Sequence, residues 1–445
     1  MKIYAVFTSN LLKTTRFLGT FLKQLYLLKK VGVDSSALCN YEHLKRIVSY
    51  AWDNVPFYQK YWSEHGFTPD TFRSLDDFLK IPTIDKNNII KYLEDFVPKD
   101  VDRKRLTLVT SGGTTGMPMQ FYIDNSVARG KEIAFLLWGN YHYFGHKMFI
   151  DKVAIIRGHR IPENKLKKGV FWERSWTDNG LHFSSFHITE ENYETYLNKL
   201  RAFKPRFIKA YPSSIVAFCY LMKQHGDFGI PKLKGVICSS ENVYDWQRKL
   251  VNETLGVEIH SFYGHSEKCV CAFQGNANKM YFQPLYGFTE FLDDNLNPMK
   301  NDGRMAQVVV TGYCHEYFPL IRYKTYDYVE VGSSDNFNKK VANKIVGRSQ
   351  EFVYDKNNNR IPFTNSDEVL WDTNGIVAYQ YVQETVGILS LTIQVTDEFD
   401  KNMINALETR ANEIFVNFDI EIKIVDKIER TRIGKFKYLI QSIKQ

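Results

Sequence analysis

The pattern of apolar positions indicates a helix first and then an alternation of strands and helices. In residues 41–65, Leu44, Ile47, Val48 and Ala51 recur at helical spacing, and Pro56 marks a break or kink. Short apolar runs then alternate with helical patterns, which predicts an α/β domain with an at least partly parallel sheet. The predicted strands are 106–109, 153–156, 207–209, 235–238 and 257–261, and the predicted helices are 190–203, 213–225 and 245–255.

The later part of the chain has a different pattern. Runs at 306–311 and 328–331 predict strands of a mainly antiparallel β unit. From residue 347 onward, a turn signal at 357–359, a helix around 403–415 and a strand at 420–425 predict a small α+β domain. The predicted fold class is therefore α/β, with a large N-terminal domain of mixed α/β sheets plus a β unit. The predicted segments are 1–40, 41–346 and 347–445.

The N-terminal segment is basic and amphipathic. Six lysines and arginines and no acidic residue precede Asp34, and apolar residues recur between them at helical spacing. Such a helix suits the surface of an anionic membrane, and equally the body of the protein. Lysines interrupt every apolar run, so the sequence predicts neither a cleavable signal nor a membrane-spanning helix.

Composition and charge narrow the class of protein. The chain has 445 residues, of which 44% are hydrophobic and 24% charged, which suits two or three globular domains. The net charge of +8 suits an anionic partner, but no long Lys/Arg block favours nucleic acid. Six cysteines do not make a disulfide scaffold, and a reducing cytoplasm is the expected location.

A loop rich in glycine and hydroxyl side chains follows the strand predicted at 106–109. Small residues let the backbone turn tightly, so that successive N–H groups can point at phosphate oxygens. No Gly-Lys-Ser/Thr closes the loop, so it is not a Walker A motif, and alone it could be an ordinary polar turn. The loop residues are Ser111, Gly112, Gly113, Thr114, Thr115 and Gly116.

Two carboxylates further along could complete a nucleotide site. Tyr263, Gly264 and Glu267 follow the strand predicted at 257–261, where ligand residues collect in α/β sheets. Glu267 could hold Mg²⁺ against a triphosphate, because Mg²⁺ takes one or two carboxylates plus phosphate and water. Asp327 could accept hydrogen bonds from ribose hydroxyls.

In their order and spacing, these motifs resemble the acyl-adenylate-forming superfamily. Three further segments share the resemblance: Ser240-Glu241, Gly347-Arg348-Ser349 and 430–435. Within it the chain resembles the branch of phenylacetate-CoA ligase and CapK-like proteins of capsular polysaccharide synthesis. The resemblance covers nearly the whole chain and also includes 47–58 and 211–214. It implies an ATP-dependent ligase that forms an acyl-AMP, releases pyrophosphate and passes the acyl group to an acceptor.

The resemblance also implies roles for individual residues. The loop 111–116 cradles the β- and γ-phosphates, and Glu267 and Thr114 hold Mg²⁺. Asp327 binds the ribose, and Arg348 contacts ribose or phosphate near a hinge. The catalytic Lys435 lies on a C-terminal domain, 347–445, that is mobile relative to the adenylation domain, 41–346. The adenine pocket is lined by Ser240, Glu241 and Asn242, with Tyr263 and Gly264 beside the base.

The acceptor is left open. In CoA ligases a glycine-containing loop follows the motif at Gly347-Arg348, and here 355–360 is Asp-Lys-Asn-Asn-Asn-Arg, which weakens the case for CoA. The leading hypothesis is an amine, carrier-protein or other thiol acceptor in surface-polysaccharide synthesis. The expected location is the cytoplasm, with a peripheral position on the inner face of the membrane as an open alternative. The alternative is an aryl- or acyl-CoA ligase. A catalytically inactive scaffold and a nucleic-acid-binding module are weaker alternatives.

The acid substrate is not readable from the sequence. Aromatic residues at 138–143 and 183–186, with Tyr211 and Tyr263, favour an apolar or aryl acid. His182, His187 and Arg157 could equally pair with a second carboxylate or a hydroxyl group. A group of cysteines and histidines has no standard zinc spacing, and we expect these side chains to be buried without a metal. The group consists of His265, Cys269, Cys271, Cys314 and His315.

Overall fold

The computed structural model describes most of the chain. The described residues are 2–31, 41–110, 119–299, 303–315, 317–333, 340–348, 352–363, 368–370, 373, 375–396, 399–429 and 437–443. The helices are α1 (Lys2–Val31), α2 (Tyr41–Asn54), α3 (Pro56–Glu64), α4 (Leu75–Phe78), α5 (Lys86–Lys91), α6 (Asn125–Phe144), α7 (Glu163–Leu166), α8 (Tyr193–Phe203), α9 (Pro212–Gln224), α10 (Asp245–Leu255) and α11 (Ile404–Ile414).

Strands run through the chain from residue 107 to residue 441. They are β1 (Thr107–Thr110), β2 (Gln120–Ile123), β3 (Val153–Arg157), β4 (Trp172–Ser175), β5 (Gly180–Ser184), β6 (Phe207–Ala210), β7 (Gly235–Cys238), β8 (Ile259–Gly264), β9 (Cys271–Gln274), β10 (Met280–Phe282), β11 (Gly287–Leu292), β12 (Met305–Gly312), β13 (Tyr323–Val331), β14 (Val341–Arg348), β15 (Phe352–Tyr354), β16 (Arg360–Pro362), β17 (Ile376–Gln383), β18 (Ile388–Val395), β19 (Asp419–Val425) and β20 (Leu439–Gln441).

The chain forms two compact units. The first comprises 1–148 and 262–345, and the second comprises 149–261 and 346–445. The alternation of strand and helix and the later antiparallel strands are as predicted, so the α/β fold class is confirmed. The segment boundaries at residues 40 and 346 stay a prediction.

The first unit carries the antiparallel sheet. Its strands lie in the order β11, β12, β13, β14, β10, β9 and the end of β8, and β1 and β2 form a separate hairpin. The predicted break at Pro56 is confirmed, because α2 ends at Asn54 and Pro56 takes the first position of α3, where its missing N–H is harmless. The buried aromatic side chains of α3 join the core of this unit.

The second unit carries a mainly parallel sheet. The start of β8 is followed by β7, β6, β3 and β5, all parallel, and then by the antiparallel edge strand β4. Alternate residues of these strands, such as Ile156, Phe183 and Ile208, are buried in one core with helices α8 and α9. The opposite face carries the polar residues of the same strands.

The C-terminal part of the second unit has its own sheet and core. Strands β19, β18, β17 and β20 lie in that order, and α11 packs on them through Leu407 and Ala411. Its Tyr438 ring lies 5.9 Å from the ring of Tyr244 and 6.3 Å from that of Trp246, at the start of α10. The small α+β architecture predicted for this part is therefore confirmed.

Candidate active site

A buried carboxylate lies at the centre of the candidate site in the first unit. Asp327 is only 4% exposed, and its Oδ2 atom accepts hydrogen bonds from the Tyr263 hydroxyl at 2.6 Å and from His265 Nε2 at 2.5 Å. Its own backbone N–H donates to Thr325 Oγ1 at 3.1 Å. The structure thus joins Tyr263 and Asp327, which the sequence predicted separately, and adds His265.

The local backbone orients this carboxylate. Tyr326 has a φ of 60°, the left-handed region that a bulky residue rarely adopts. Its hydroxyl donates to Asp85 Oδ2 at 2.8 Å, which holds the side chain while the backbone turns. Burial alternates along β13 at this point, so Asp327 points into the interior while its neighbour Tyr326 is exposed.

Burial determines the protonation state of the partner phenol. Desolvation, followed by the nearby negative charge of Asp327, raises the pKa of Tyr263 well above its usual value of 10. Tyr263 therefore remains a hydrogen-bond donor at every physiological pH. The rings of Tyr263 and His265 meet edge to face with centroids 5.0 Å apart, which fixes both donors around one oxygen atom.

Glu267 lies just after β8 in the same unit and is 8% exposed. The adjacent Lys268 does not neutralise it, because Lys268 Nζ pairs with Glu132 Oε2 at 2.5 Å. Within the described part of the chain, no cation forms an ion pair with the Glu267 carboxylate. A buried carboxylate without a cation, offering hard oxygen ligands, fits the Mg²⁺ role that the resemblance implies.

The segment predicted to line the adenine pocket lies in the second unit, after β7. Ser240 has a φ of 74°, and this turn points the next side chain back toward α9. The Glu241 carboxylate accepts hydrogen bonds from Ser213 N at 2.9 Å and Ser213 Oγ at 3.0 Å. Asn242 Nδ2 donates to the carbonyl of Val346 at 3.1 Å. Glu241 therefore caps the N-terminus of a helix, a role that the sequence did not suggest.

Other predicted residues lie outside the described structure or at its edge. The phosphate loop, from Ser111 to Gly116 and including Thr114, and the catalytic candidate Lys435 are outside the described residues. Arg348 ends β14, and nothing is described of its side chain. Gly264 is the last residue of β8.

The cysteine and histidine group is buried. Cys269, Cys271 and Cys314 are free thiols, and burial raises the pKa of each. Burial, followed by the charge of Lys268, lowers the pKa of His315 to about 3, so this ring is neutral. In the ranges that the structure covers, no three His, Cys, Asp or Glu side chains are grouped as metal ligands.

The substrate candidates of the sequence analysis separate into two kinds. His187 Nδ1 hydrogen-bonds Ser184 Oγ at 2.9 Å and its ring stacks on Phe171, which is a packing role. Arg157 and His182 instead lie on the polar face of the parallel sheet, together with Lys209 of β6, which is on the other side of β3 from His182. Lys209 was not recognised from the sequence, since a single lysine in a strand does not reveal which residues face it.

Comparisons with known proteins show what the chain is similar to. Residues 353–442 match the family model of the CapK C-terminal domain. The chain is 23% identical to Protein CapK of Staphylococcus aureus, over 91% of this chain and 88% of that protein. It is 24% identical to the phenylacetate-coenzyme A ligase of Aromatoleum evansii, over 93% and 96% of the two chains.

A solved structure shows the same fold. The crystal structure of 2-hydroxyisobutyryl-CoA ligase in the postadenylation state, in complex with R3-HIB-AMP, matches with a TM-score of 0.69. The two chains are 18% identical, and the match covers 90% of this chain and 88% of the other.

The chain thus has the fold of the acyl-adenylate-forming ligases, and its sequence is similar to members of that class, as the order of its motifs predicted. Within that class it is similar to CapK and to the phenylacetate-coenzyme A ligases, so the predicted branch is confirmed as well.

Proposed function

We propose that this enzyme uses ATP to convert a carboxylic acid into its acyl-AMP. One carboxylate oxygen of the acid attacks the α-phosphorus of ATP, the bond from that phosphorus to the bridging oxygen breaks, and pyrophosphate leaves with the electron pair. The observation that carries the proposal is the buried group of Asp327, Tyr263 and His265 in a chain with this fold.

Asp327 serves as the acceptor for the ribose hydroxyls. Two neutral or cationic donors already hold one of its oxygens, so the carboxylate is fixed before the nucleotide arrives. Tyr263 and Gly264 lie beside the base, and Ser240, Glu241 and Asn242 line the adenine pocket. Because the Glu241 carboxylate is held by Ser213, Glu241 contributes to the adenine pocket by positioning the segment 240–242.

The phosphates are held by 111–116, with Glu267 and Thr114 as the ligands of Mg²⁺. A bound Mg²⁺ supplies positive charge against the leaving pyrophosphate. Lys435 brings a second cation between the two anions that must approach, and Arg348 contacts ribose or phosphate near the hinge of the mobile C-terminal domain.

Lys435 gives the sharpest test of the catalytic assignment. Lys435→Ala should lower the rate of acid-dependent ATP–pyrophosphate exchange by roughly 10²–10³-fold, the scale for losing one preorganised charged donor. The matched control is Lys437→Ala, two residues away, whose backbone carbonyl accepts a hydrogen bond from Gln380 Nε2 that the substitution leaves in place. Unchanged exchange in Lys435→Ala would remove that residue from the reaction.

For the second half-reaction we propose transfer to an amine or a carrier-protein thiol in capsular or other surface-polysaccharide synthesis. The observation behind it is the turn between β15 and β16, which stands where the CoA ligases carry a glycine-containing loop. Asp355 Oδ1 accepts from the N–H groups of Asn357 at 2.9 Å and Asn359 at 2.7 Å, and Lys356 N–H donates to the carbonyl of Asn417. Such a pinned turn is poorly suited to open for a pantetheine arm.

The alternative is an aryl- or acyl-CoA ligase, which the names of the relatives favour. Purified enzyme with an accepted acid, ATP and Mg²⁺ is given CoA, an amino sugar or an amino acid, and release of AMP is followed. Faster release with an amine supports the leading proposal. Stoichiometric acyl-CoA with CoA alone establishes the alternative.

We also propose that the protein is cytoplasmic and contacts the inner face of the membrane through α1. One side of α1 packs on α6, where a Cβ on Gly130 would lie 2.9 Å from the carbonyl oxygen of Phe17. The opposite side exposes Leu18, Leu22 and Tyr26, which are spaced four residues apart. Exposed lysines flank this stripe, which suits an anionic lipid surface. The exposed lysines are Lys23, Lys29 and Lys30.

Among the described helices none is long and apolar enough to span a bilayer. Sedimentation with lipid vesicles tests surface binding through α1. The protein should sediment with phosphatidylglycerol vesicles and not with phosphatidylcholine vesicles. Leu22→Glu should weaken sedimentation about tenfold, through lost apolar contact and added negative charge. Val416→Glu, an equally exposed apolar position in the C-terminal part, should not change it. Equal sedimentation of the two variants contradicts membrane contact through α1.

A further inference from the structure

One face of the parallel sheet in the second unit carries basic side chains at neighbouring positions. Strand pairing places His182 of β5 and Lys209 of β6 on either side of Ile155 of β3, at the same level. Arg157 lies two residues further along β3, opposite Ser184. Because residues two apart on a strand point to the same face, His182, Lys209 and Arg157 share one face.

This position in the sheet is one where ligands bind. From β3 the chain leads to β5 on one side, and then returns across β3 to β6 on the other side. In an open α/β sheet such a switch point opens a crevice outside the carboxyl ends of the strands. Arg157 is the last residue of β3, Tyr211 follows β6, and Ser239 follows β7.

Arg157 is held in place but keeps hydrogen-bonding capacity. Its Nη2 atom donates to Ser239 Oγ at 2.6 Å, and its guanidinium lies 5.3 Å from the centre of the Tyr211 ring. Its Nε atom is buried and has no hydrogen-bond partner. Ser239 directly precedes the segment 240–242 assigned to the adenine pocket, so this guanidinium lies next to the nucleotide segment of its own unit.

The nearby carboxylates are engaged with other groups. Asp178 pairs with His182 at 2.7 Å, Glu173 pairs with His159 at 2.9 Å, and Glu241 accepts from Ser213. Throughout the described ranges no carboxylate forms an ion pair with Arg157 or Lys209. The charges of Glu241 and Asp178 act on Arg157 and Lys209 from beyond ion-pair distance, so these two half-buried cations lack a paired counter-charge.

This arrangement disfavours the charged forms of both side chains. Burial, followed by the charge of Arg157, lowers the pKa of Lys209 to about 8, and burial lowers the pKa of Arg157. Uncompensated charges of like sign in a desolvated place destabilise the ligand-free protein. An anion bound between them would offset that penalty, which is the usual reason to keep such a pair.

We propose that the acid activated by this enzyme carries a second anionic group, a carboxylate, and that Arg157 and Lys209 bind it. The inference rests on the proposed function and names the substrate class of that site. The carboxylate held by these two cations is not the one that reacts, because a nucleophilic oxygen tied to two cations is a weaker nucleophile. The reacting carboxylate lies at the other end of the same acid, facing the α-phosphate.

The experiment uses matched pairs of acids and the full-length enzyme. Each pair consists of a diacid and a matching monoacid, and both are tested in ATP–pyrophosphate exchange. One pair is pentanedioate and pentanoate, and the other is benzene-1,4-dicarboxylate and 4-methylbenzoate. At least one diacid should give a kcat/KM about 30-fold or more above that of its partner. Arg157→Gln should remove that preference, since it takes away one partner of a desolvated charge pair. Lys209→Met should act in the same direction, and the control Lys223→Met, on the exposed side of α9, should keep the preference.

Three outcomes overturn the inference. Monoacids could react as well as their diacids, or Arg157→Gln could lower both acids of a pair equally. A raised KM for ATP with every acid in Arg157→Gln would instead assign these cations to a nucleotide phosphate.

Thermal stability separates failure of this inference from failure of the proposed function. If no acid supports exchange, the ligase proposal fails, but each acid can still be tested for binding. A diacid that raises the Tm of the wild type, and not of Arg157→Gln, supports the anion site. Equal shifts from diacid and monoacid contradict it. Without ligand, Lys209→Met should raise the Tm, a gain that a merely structural lysine would not give.

Discussion

Asp327 in the first unit and the pair of Arg157 and Lys209 in the second unit hold buried charge in opposite ways. In the first unit the Asp327 carboxylate accepts two short hydrogen bonds, from Tyr263 and His265. In the second unit Arg157 and Lys209 share a crevice without an ion-pair partner among the described residues. A charge that is already satisfied is preorganised for a ligand that every turnover uses, which in the proposed function is the ribose of ATP. A charge left uncompensated is completed by its ligand, and it therefore discriminates between ligands.

From this contrast we expect the largest loss of activity, with every acid, when the hydrogen-bonded carboxylate of Asp327 is removed. Asp327→Ala should lower ATP–pyrophosphate exchange by about 10²–10³-fold with every acid, because the ribose acceptor is lost and two buried donors are left unpaired. The control is Asp293→Ala, an exposed turn carboxylate of the same unit, which should change exchange by no more than about twofold. A loss confined to diacids would reverse the roles given to the two units.

A smaller effect should follow from removing one of the two donors. Tyr263→Phe should raise the KM for ATP about tenfold with little change in kcat, because His265 still holds Asp327. Steady-state kinetics at varied ATP measure this. Tyr328→Phe, which loses an exposed hydrogen bond to Asp294 at 3.2 Å, is the control. Equal KM values in the two variants would mean that Tyr263 does not position Asp327.

In the second unit Glu241 should prove to be a stabilising residue. Glu241→Ala should lower the free energy of unfolding by about 1–2 kcal/mol, because the first turn of α9 loses its acceptor and its favourable charge. Urea unfolding followed by circular dichroism measures the change. Glu253→Ala, on the exposed side of α10, should cost less than about 0.5 kcal/mol. A loss no greater than that of Glu253→Ala would contradict the capping role.

The smallest predicted effect is a pH dependence. The Lys209 side chain has a pKa of about 8 in the folded protein, against about 10.4 in an unfolded chain. Between these values the unfolded chain binds more protons, so the wild type gains stability as the pH rises. The Lys209→Met variant has no titrating group at this position and does not gain this stability. Its advantage in Tm over the wild type should therefore shrink between pH 8 and 10.5. A constant difference across that window would place Lys209 in solvent rather than beside Arg157.

Much of the fold was predictable because periodicity and turn residues act locally. Strand β7 and helix α10 have the predicted bounds, and Pro56 breaks the helix as expected. Strand β8 begins two residues later than predicted and runs to Gly264, since Val257 and Glu258 lie in the turn after α10. Such ends depend on pairing with β9, which no local pattern reveals.

The site was predictable in its motifs and not in its contacts. Order and spacing identified Tyr263, Glu267 and Asp327, but the bond from His265 to Asp327 joins residues 62 positions apart. Strand order decides two further contacts in the same way. One is the hydrogen bond that Ser213 donates to Glu241, and the other brings Lys209 close to Arg157. Sequence alone shows which side chains are present, and sheet topology decides which of them meet.

Acid-dependent exchange of radiolabelled pyrophosphate into ATP tests the central claim most directly. We predict that, in a panel of monoacids and diacids with Mg²⁺, at least one acid supports exchange by the wild type and by Asp293→Ala. The same acid should give little or no exchange with Asp327→Ala and with Lys435→Ala. Absence of exchange with every acid, or undiminished exchange in Asp327→Ala, would contradict the assignment of an adenylate-forming site to these residues.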